Sequence, residues 1–201
     1  MRRIRSLATI AAFAAALAAP SARAQSPIPI TLVGGLNLAS TTATGASQAT
    51  GVLFGVGTEF SLGPLVKLQP ELLFQMQGAT SPGGSINANY LNVPVFVRYD
   101  IDLGPATPVK PVLLAGPNLM LRVSCSITVN SGTAPTCAQA SPNGKDPATL
   151  DFGLTFGGGL EFKAGGKTLG VGLRYMFGLT DVFTGGDNKN RALQFVGTIR
   201  L

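Results

Sequence analysis

The sequence alternates between bulky apolar residues and small or polar residues along several separate segments. The segment 149–163 shows this most clearly, because one phase is apolar throughout: Leu150, Phe152, Leu154, Phe156, Leu160 and Phe162. The opposite phase is glycine or polar: Asp151, Gly153, Thr155, Gly157, Gly159, Glu161 and Lys163. A period of two residues is that of a β-strand, whose successive side chains point to opposite faces. The segment is therefore predicted to be a strand with one apolar and one polar face.

Eight segments of this kind follow one another, separated by stretches rich in glycine, proline, serine, threonine and asparagine. We place the strands at 28–38, 51–62, 65–77, 89–101, 109–123, 149–163, 167–180 and 191–201. None of these segments combines helical periodicity with a helix-capping signal. The predicted fold class is therefore all-β: a single antiparallel up-and-down transmembrane β-barrel of about eight strands, occupying residues 25–201.

Residues 1–24 have the three parts of a secretory signal peptide. Residues 1–5 are basic, and the apolar run 7–19 is shorter than the ~20 residues of a spanning helix. Ala22 and Ala24 are the small residues that signal peptidase accepts. An uncleaved membrane anchor is the alternative, but Pro20 interrupts the run where an anchor would continue. We expect residues 1–24 to be cleaved and the rest to be exported.

The net charge of +6 for the whole chain is concentrated in this leader. Four of the fifteen basic residues and none of the nine acidic ones lie in it, so the mature chain keeps eleven basic and nine acidic residues. The remaining lysines and arginines are scattered singly and form no patch. The sequence therefore argues against a nucleic-acid partner.

Glycine is frequent on the polar phase of the strands, for example at Gly55, Gly57, Gly157, Gly159 and Gly170. The interior of a closed barrel of about eight strands is barely wide enough for side chains, so glycine relieves crowding there. On a solvent-facing surface the same glycines would only weaken the strands. We therefore expect the polar phase to point inward and the apolar phase to face membrane lipid.

The connections between the strands alternate in length. Those after the second, fourth and sixth strands are short (63–64, 104–108 and 164–166), and the others are longer and polar. Short periplasmic turns and long extracellular loops are typical of outer-membrane barrels, so we expect a bacterial outer-membrane location. Gln194, Ile199 and Leu201 lie where such barrels carry the polar and apolar residues of an assembly signal. The barrel assembly machinery is thus an expected partner during biogenesis.

Charged residues recur on the inward phase. They are the acids Glu59, Glu71, Asp151 and Glu161 and the bases Lys67, Arg98, Lys110, Arg122, Arg174 and Arg200. A charge in a narrow interior is strongly disfavoured unless it is paired. We expect an ion-pair network that fills the barrel. A polar pathway for ions or small solutes is the alternative, and it needs a wider lumen.

The two cysteines, Cys125 and Cys137, lie in a stretch rich in serine, threonine and proline. Export takes them into an oxidising compartment, so we expect a disulfide that closes this loop. Their spacing is not C-x-x-C and the chain has no histidine, which argues against a redox or metal site. No base accompanies the serines of the loop. No catalytic residue, metal or cofactor is predicted.

The segment 90–99, YLNVPVFVRY, resembles the Y-L-x-[IV]-P-[LV]-x-x-[KR]-[YF] motif of the PorT-like outer-membrane β-barrel family. The preceding segment 68–74, the pair Gly116–Pro117 and the segment 157–162 are also similar to that family. The resemblance implies an outer-membrane barrel of about eight strands. It implies no particular activity, because the family is defined by its architecture.

The sequence thus predicts a non-enzymatic outer-membrane barrel with a structural or surface-interaction role. Its expected partners are outer-membrane lipid and an extracellular ligand of the long loops, above all residues 124–145. Two alternatives remain open. One is a small pore for ions or small solutes, and the other is a soluble periplasmic barrel that binds an apolar ligand with its bulky phase inward.

Overall fold

The computed structural model describes residues 28–42, 47–81, 83–104, 106–131, 133, 135–137, 139, 148–181 and 189–201. The predicted signal peptide, residues 1–24, lies outside these ranges. Within them, no helix is long and apolar enough to cross a membrane.

The described residues form one closed antiparallel sheet. Its strands are β1 (Ile30–Thr41), β2 (Ser47–Thr58), β3 (Phe60–Ser61), β4 (Val66–Ser81), β5 (Gly84–Asp100), β6 (Val109–Val129), β7 (Leu150–Ala164), β8 (Lys167–Asp181) and β9 (Lys189–Arg200). β2 and β3 both pair with β4 and are two parts of one barrel strand. β1 pairs with β9, which closes the sheet. The predicted single antiparallel barrel of eight strands is confirmed.

The barrel has two different ends. At one of them, called the terminal end below, lie the start of β1, the end of β9 and the links 62–65, 101–108 and 165–166. Gly165 and Gly166 make the tightest of these links, with φ values of +57° and +78°. Positive φ at both central residues is what a two-residue type I′ hairpin turn requires, and glycine adopts it without strain. The opposite end is called the loop end.

The expected alternation of link lengths is only partly right. The predicted long link at 78–88 is wrong, because β4 continues to Ser81 and β5 starts again at Gly84. These residues are polar, yet they pair in register as a hairpin, from Gly78↔Asn87 to Ser81↔Gly84. Polar composition suggests a loop, but a strand that projects beyond the apolar wall does not require apolar residues. The link 101–108 at the terminal end is longer than this turn.

The bulky apolar phase points outward around the whole barrel. Phe54, Phe156, Val171 and Leu173 are between 49% and 58% exposed. Most of their inward neighbours in sequence are glycine or polar, and Leu53, beside Phe54, is the apolar exception. An apolar surface this continuous is far larger than the patches that soluble monomers expose. The outward wall therefore suits lipid, and it is the reverse of the arrangement that the soluble, ligand-binding alternative requires.

A charge on this wall is expected to destabilise the barrel according to its height. Leu173→Arg, which lies near the middle of β8, should lower the free energy of unfolding by about 2–4 kcal/mol in lipid vesicles. The matched change Thr128→Arg, near the loop end of β6, should lower it by less than about 1 kcal/mol. Denaturant titration of the folded barrels measures both values. Equal effects at the two positions would contradict a membrane-facing wall.

Candidate functional site

The inward phase at the terminal end brings together six charged residues from several strands. We call this group the terminal cluster, and its members are Glu59, Lys67, Arg98, Asp100, Glu161 and Arg200. Glu59 is the residue at which β2 gives way to β3, and it stays on the inward phase of the strand. The others enter the interior by simple alternation along β4, β5, β7 and β9.

Arg98 is the centre of the terminal cluster. Its Nη1 lies 2.9 Å from Glu59 Oε1, and its Nε lies 2.6 Å from Asp100 Oδ1. Its Nη1 and Nη2 also donate to the two carboxylate oxygens of Glu161, at 2.7 and 2.5 Å. A planar guanidinium has several donors and can hydrogen-bond to three carboxylates at once, whereas a lysine ammonium is less suited to such an arrangement. Arg98 therefore joins β2, β5 and β7 across the interior.

Lys67 and Arg200 complete the charge balance of the terminal cluster. Lys67 Nζ lies 2.9 Å from Glu59 Oε2 and 3.0 Å from Asp100 Oδ2. Arg200 donates to Glu161 Oε1 at 2.8 Å and also pairs with Glu59. Three acids thus face three bases. Since isolated buried charges are strongly disfavoured, this balance is what allows the group to lie inside the barrel.

A second ion pair lies further into the barrel. Arg174 Nη1 and Nη2 donate to the two oxygens of Glu71 at 2.6 and 2.9 Å, and both side chains are buried. The guanidinium also lies over the ring of Phe96, 5.0 Å from its centroid. Any Cβ at Gly57 would lie 2.9 Å from Glu71 Cγ, and one at Gly157 would lie 2.9 Å from Arg174 Cα. Glycine on the inward phase therefore makes room for this pair.

Amides and thioethers occupy the loop-end half of the interior. Gln77 Nε2 lies 3.3 Å from Met120 Sδ and 3.7 Å from Met176 Sδ. Asn92 Nδ2 donates to Gln75 Oε1 at 3.0 Å. The two methionines also pack in an apolar cluster with Tyr90, Ala39 and Ala192. The interior is thus packed with side chains at both levels.

The structure does not place all eight residues of the predicted network in one group. Glu59, Arg98, Glu161 and Arg200 come together, and Glu71 pairs with Arg174. The remaining two, Arg122 and Asp151, lie near the loop end and outside these ion pairs.

Both of these residues have polar partners where they lie. Arg122 Nε donates to the carbonyl of Ala148 at 3.3 Å. Asp151 accepts from Asn190 Nδ2 at 2.6 Å and from the hydroxyl of Thr180. Alternation predicts which face a residue is on but not its height in the barrel, and height decides which charges meet.

One member of the terminal cluster escaped the sequence analysis. Asp100 was not among the candidates, although it stands two residues after Arg98 and so shares its inward phase. Its side chain is only 2% exposed and contacts both Arg98 and Lys67. The period-two pattern of β5 was sufficient to predict that Asp100 points inward. Lys110, by contrast, was a candidate but lies at the rim, 52% exposed and 3.6 Å from Asp100.

Little free space remains between the charged groups. A cavity of about 40 Å³ lies beside Glu59, Gln69, Arg98 and Arg174, which is room for a few water molecules. A solute crossing the barrel would have to part the terminal cluster. No group of three metal-ligating side chains occurs in the part of the chain that the structure describes.

The closed antiparallel barrel, with its apolar exterior and filled interior, corresponds to a known family. The outer membrane protein beta-barrel domain family matches residues 23–184. The chain belongs to this family. The expected location in the bacterial outer membrane follows from that membership. The family match supports a small outer-membrane barrel but does not distinguish the PorT-like group within it.

Solved structures with the same fold include Neisserial surface protein A, with a TM-score of 0.55 and 14% identity over 86% of this chain and 97% of that chain. Ail, the attachment invasion locus protein of Yersinia pestis, has a TM-score of 0.47 and 11% identity over 88% of this chain and 100% of its own. The outer membrane enzyme PagL has a TM-score of 0.43 and 13% identity over 85% and 97% of the two chains. The likeness to Neisserial surface protein A, at 14% identity, shows a common fold alone. No curated protein matches the sequence significantly.

Removal of the central arginine should be far more damaging than removal of the rim lysine. Arg98→Ala leaves three buried carboxylates without their shared partner, so we expect the free energy of unfolding to fall by about 3–5 kcal/mol. Lys110→Ala removes a half-exposed charge and should lower it by less than about 1 kcal/mol. Denaturant titration in lipid vesicles compares the two. A loss below 1 kcal/mol for Arg98→Ala would show that the terminal cluster does not hold the barrel together.

Proposed function

We propose that the protein is a non-enzymatic outer-membrane barrel that displays an interaction surface outside the cell. In this proposal the chain is exported by a signal peptide cleaved after residue 24, and it is a PorT-like member of the wider family. The transmembrane part acts as an anchor. The surface that meets a partner lies at the loop end and is built from β5, β6 and the link that follows β6.

The observation that carries this proposal is an extension of β5 and β6 beyond β7, flanked on its other side by the end of β4, which pairs with β5 as far as Ser81↔Gly84. β6 pairs with β7 only as far as Leu121, but it pairs with β5 as far as Val129. These eight further residues amount to about 27 Å of strand. Val123 is the last large apolar side chain exposed on β6, and the residues after it are mostly polar. We call residues 84–89 and 124–129 the extension.

The extension is held in shape by side chains and by a disulfide. Asn89 Nδ2 donates to Ser124 Oγ at 2.9 Å across the two strands. Cys125 is bonded to Cys137, twelve residues further along the chain, so the start of the long link is tied to β6. A crosslink of this span removes roughly 3 kcal/mol of chain entropy from the open loop. A pre-ordered loop loses less entropy on binding, which suits a recognition surface.

The filled interior supports an anchoring role over transport. The terminal cluster and the Glu71–Arg174 pair bridge the barrel at two levels, and neither leaves a continuous space. Neisserial surface protein A, which shares the fold, is by its name a surface protein. The sequence contains no histidine that could activate a serine.

Epitope tags at the two ends test the proposed orientation. A tag inserted after Gly144, in the link between β6 and β7, should bind antibody on intact cells. The matched tag between Gly165 and Gly166, in the turn at the terminal end, should bind antibody only after the outer membrane is permeabilised. Both insertions fall in links that tolerate added residues. The reverse pattern would place the terminal end outside the cell and would contradict the proposal.

Loss of the disulfide should loosen the long link without opening the barrel. In the variant Cys125→Ala/Cys137→Ala, we expect trypsin to cut after Lys145 several times faster than in the parent protein. The barrel itself should keep its heat-dependent shift on a denaturing gel. Wild-type protein treated with a reductant serves as the matched control and should behave like the variant. Unchanged cleavage rates would mean that the disulfide does not order the link.

A further inference from the structure

Three prolines lie close together in neighbouring strands of the barrel wall. They are Pro70 of β4, Pro94 of β5 and Pro117 of β6. Pro70 pairs with Val95 of β5, and the register of β5 with β6 sets Pro117 opposite the same residue. All three prolines belong to the segments 68–74, 90–99 and 116–117 that resemble the PorT-like family. The surface role proposed above makes no use of them.

A gap in the backbone pairing accompanies each proline. Two residue pairs are missing at each gap, and the register is the same on either side of it. The gaps lie between Gly57↔Glu71 and Phe60↔Leu68, between Pro70↔Val95 and Leu73↔Asn92, and between Pro94↔Asn118 and Val97↔Ala115. Proline has no backbone N–H and cannot donate to the neighbouring strand. The prolines are therefore the cause of the gaps.

The opposite side of the barrel is paired without such gaps. Uninterrupted pairing runs from Val109↔Phe162 to Leu121↔Leu150 for β6 and β7, from Gly153↔Gly178 to Ala164↔Lys167 for β7 and β8, and from Thr168↔Arg200 to Phe177↔Arg191 for β8 and β9. The pairing of β1 with β9 is equally continuous. The proline gaps thus lie only in the ladders that β4 and β5 make, and each of these two strands has a gap on both sides.

The missing hydrogen bonds weaken the closed wall at this level. Pro94 lies opposite Glu71 in the register of β4 and β5, so the carbonyls of Glu71 and Val95 both lose their ladder donor. Lipid offers no donor in its place. The closed wall is destabilised here, and fewer hydrogen bonds break when the strands part. We call residues 69–73 and 92–97 the proline window.

One side chain from the opposite wall holds the proline window on its inner face. Arg174 of β8 donates to both carboxylate oxygens of Glu71, at 2.6 and 2.9 Å. The same guanidinium lies 5.0 Å from the ring centroid of Phe96. Glu71 belongs to β4 and Phe96 to β5, so Arg174 contacts both strands of the window. Side-chain contacts across the interior thus take over part of what the ladders lack.

We propose that the proline window is a movable section of the wall that Arg174 keeps closed. It opens locally while β6, β7, β8, β9 and β1 stay paired. Opening brings the buried polar groups of the window, such as Glu71 and Asn92, within reach of water. The three segments with the family resemblance then determine where the wall can open. The proposal does not depend on which end of the barrel faces outside, so this inference and the proposed orientation can fail separately.

Hydrogen exchange of single amides, followed by NMR on the mature barrel in lipid nanodiscs, tests the proposal. The amides of Glu71, Val93 and Val95 report on the window. Those of Val171, Leu173 and Phe195 report on the continuous side. Window amides should exchange about tenfold faster than the reference amides, since their local opening breaks fewer hydrogen bonds.

Proline variants test whether the gaps cause this opening. Pro94→Ala and Pro117→Ala each restore a backbone donor, and each should slow exchange at Val95 by about fivefold. Pro111→Ala is the matched control, because Pro111 lies opposite Ile101, which follows the last residue of β5. It should change exchange at Val95 less than twofold. Heat-dependent gel migration confirms that each variant is folded.

A further pair of variants tests the part of Arg174. Arg174→Lys keeps a positive charge beside Glu71 but loses the two-pronged contact, so window amides should exchange about fivefold faster. Arg191→Lys makes the same change at an arginine that lies over the ring of Phe177, and it should leave the window unchanged. Equal exchange rates in the window and on the continuous side would overturn the proposal. So would proline and arginine variants that behave like their controls.

Discussion

The pairing of β1 with β9 is the interaction on which the rest of the structure depends. Eleven residue pairs, from Thr31↔Arg200 to Thr41↔Asn190, join the two strands. Without them both strands would present unpaired amides and carbonyls to the lipid, where no water can satisfy them. Closure also divides the molecule into an inside and an outside. The assignment of every side chain to lipid or to the interior follows from that division.

Once the sheet is closed, the narrow interior limits what the inward phase can contain. Ion pairs fill the terminal end, a second pair crosses further in, and amides and methionine sulfurs fill the loop-end half. Large side chains such as Arg174 fit because glycines stand opposite them, as Gly157 does on β7. The same crowding that excludes solutes fixes the guanidinium groups against their carboxylates. The interior of the barrel is therefore filled along the part that crosses the membrane.

The fold could be predicted from the sequence for two reasons. Strand geometry sets an alternation of period two, and contact with lipid requires apolar residues on the outer face. Strand residues outside the membrane do not need to be apolar. The polar segment 78–88 was therefore predicted to be a loop, although it forms two paired strands. The ion pairs were predicted less completely. Alternation assigned Arg122 and Asp151 to the interior but could not give their height, which depends on how the strands are staggered around the barrel. Asp100 was available from the same alternation and was missed.

The terminal cluster draws on strands from both halves of the chain. Its buried acids outnumber its buried bases when β2 to β7 are in place, because Glu59, Asp100 and Glu161 then face Lys67 and Arg98, with only the half-exposed Lys110 added at the rim. The compensating charge, Arg200, arrives with β9. A barrel lacking its closing strand would therefore suffer two defects at once, an open edge and an unneutralised buried carboxylate. Both defects raise the free energy of the partly assembled barrel, so the closed barrel is strongly favoured over a form that lacks β9.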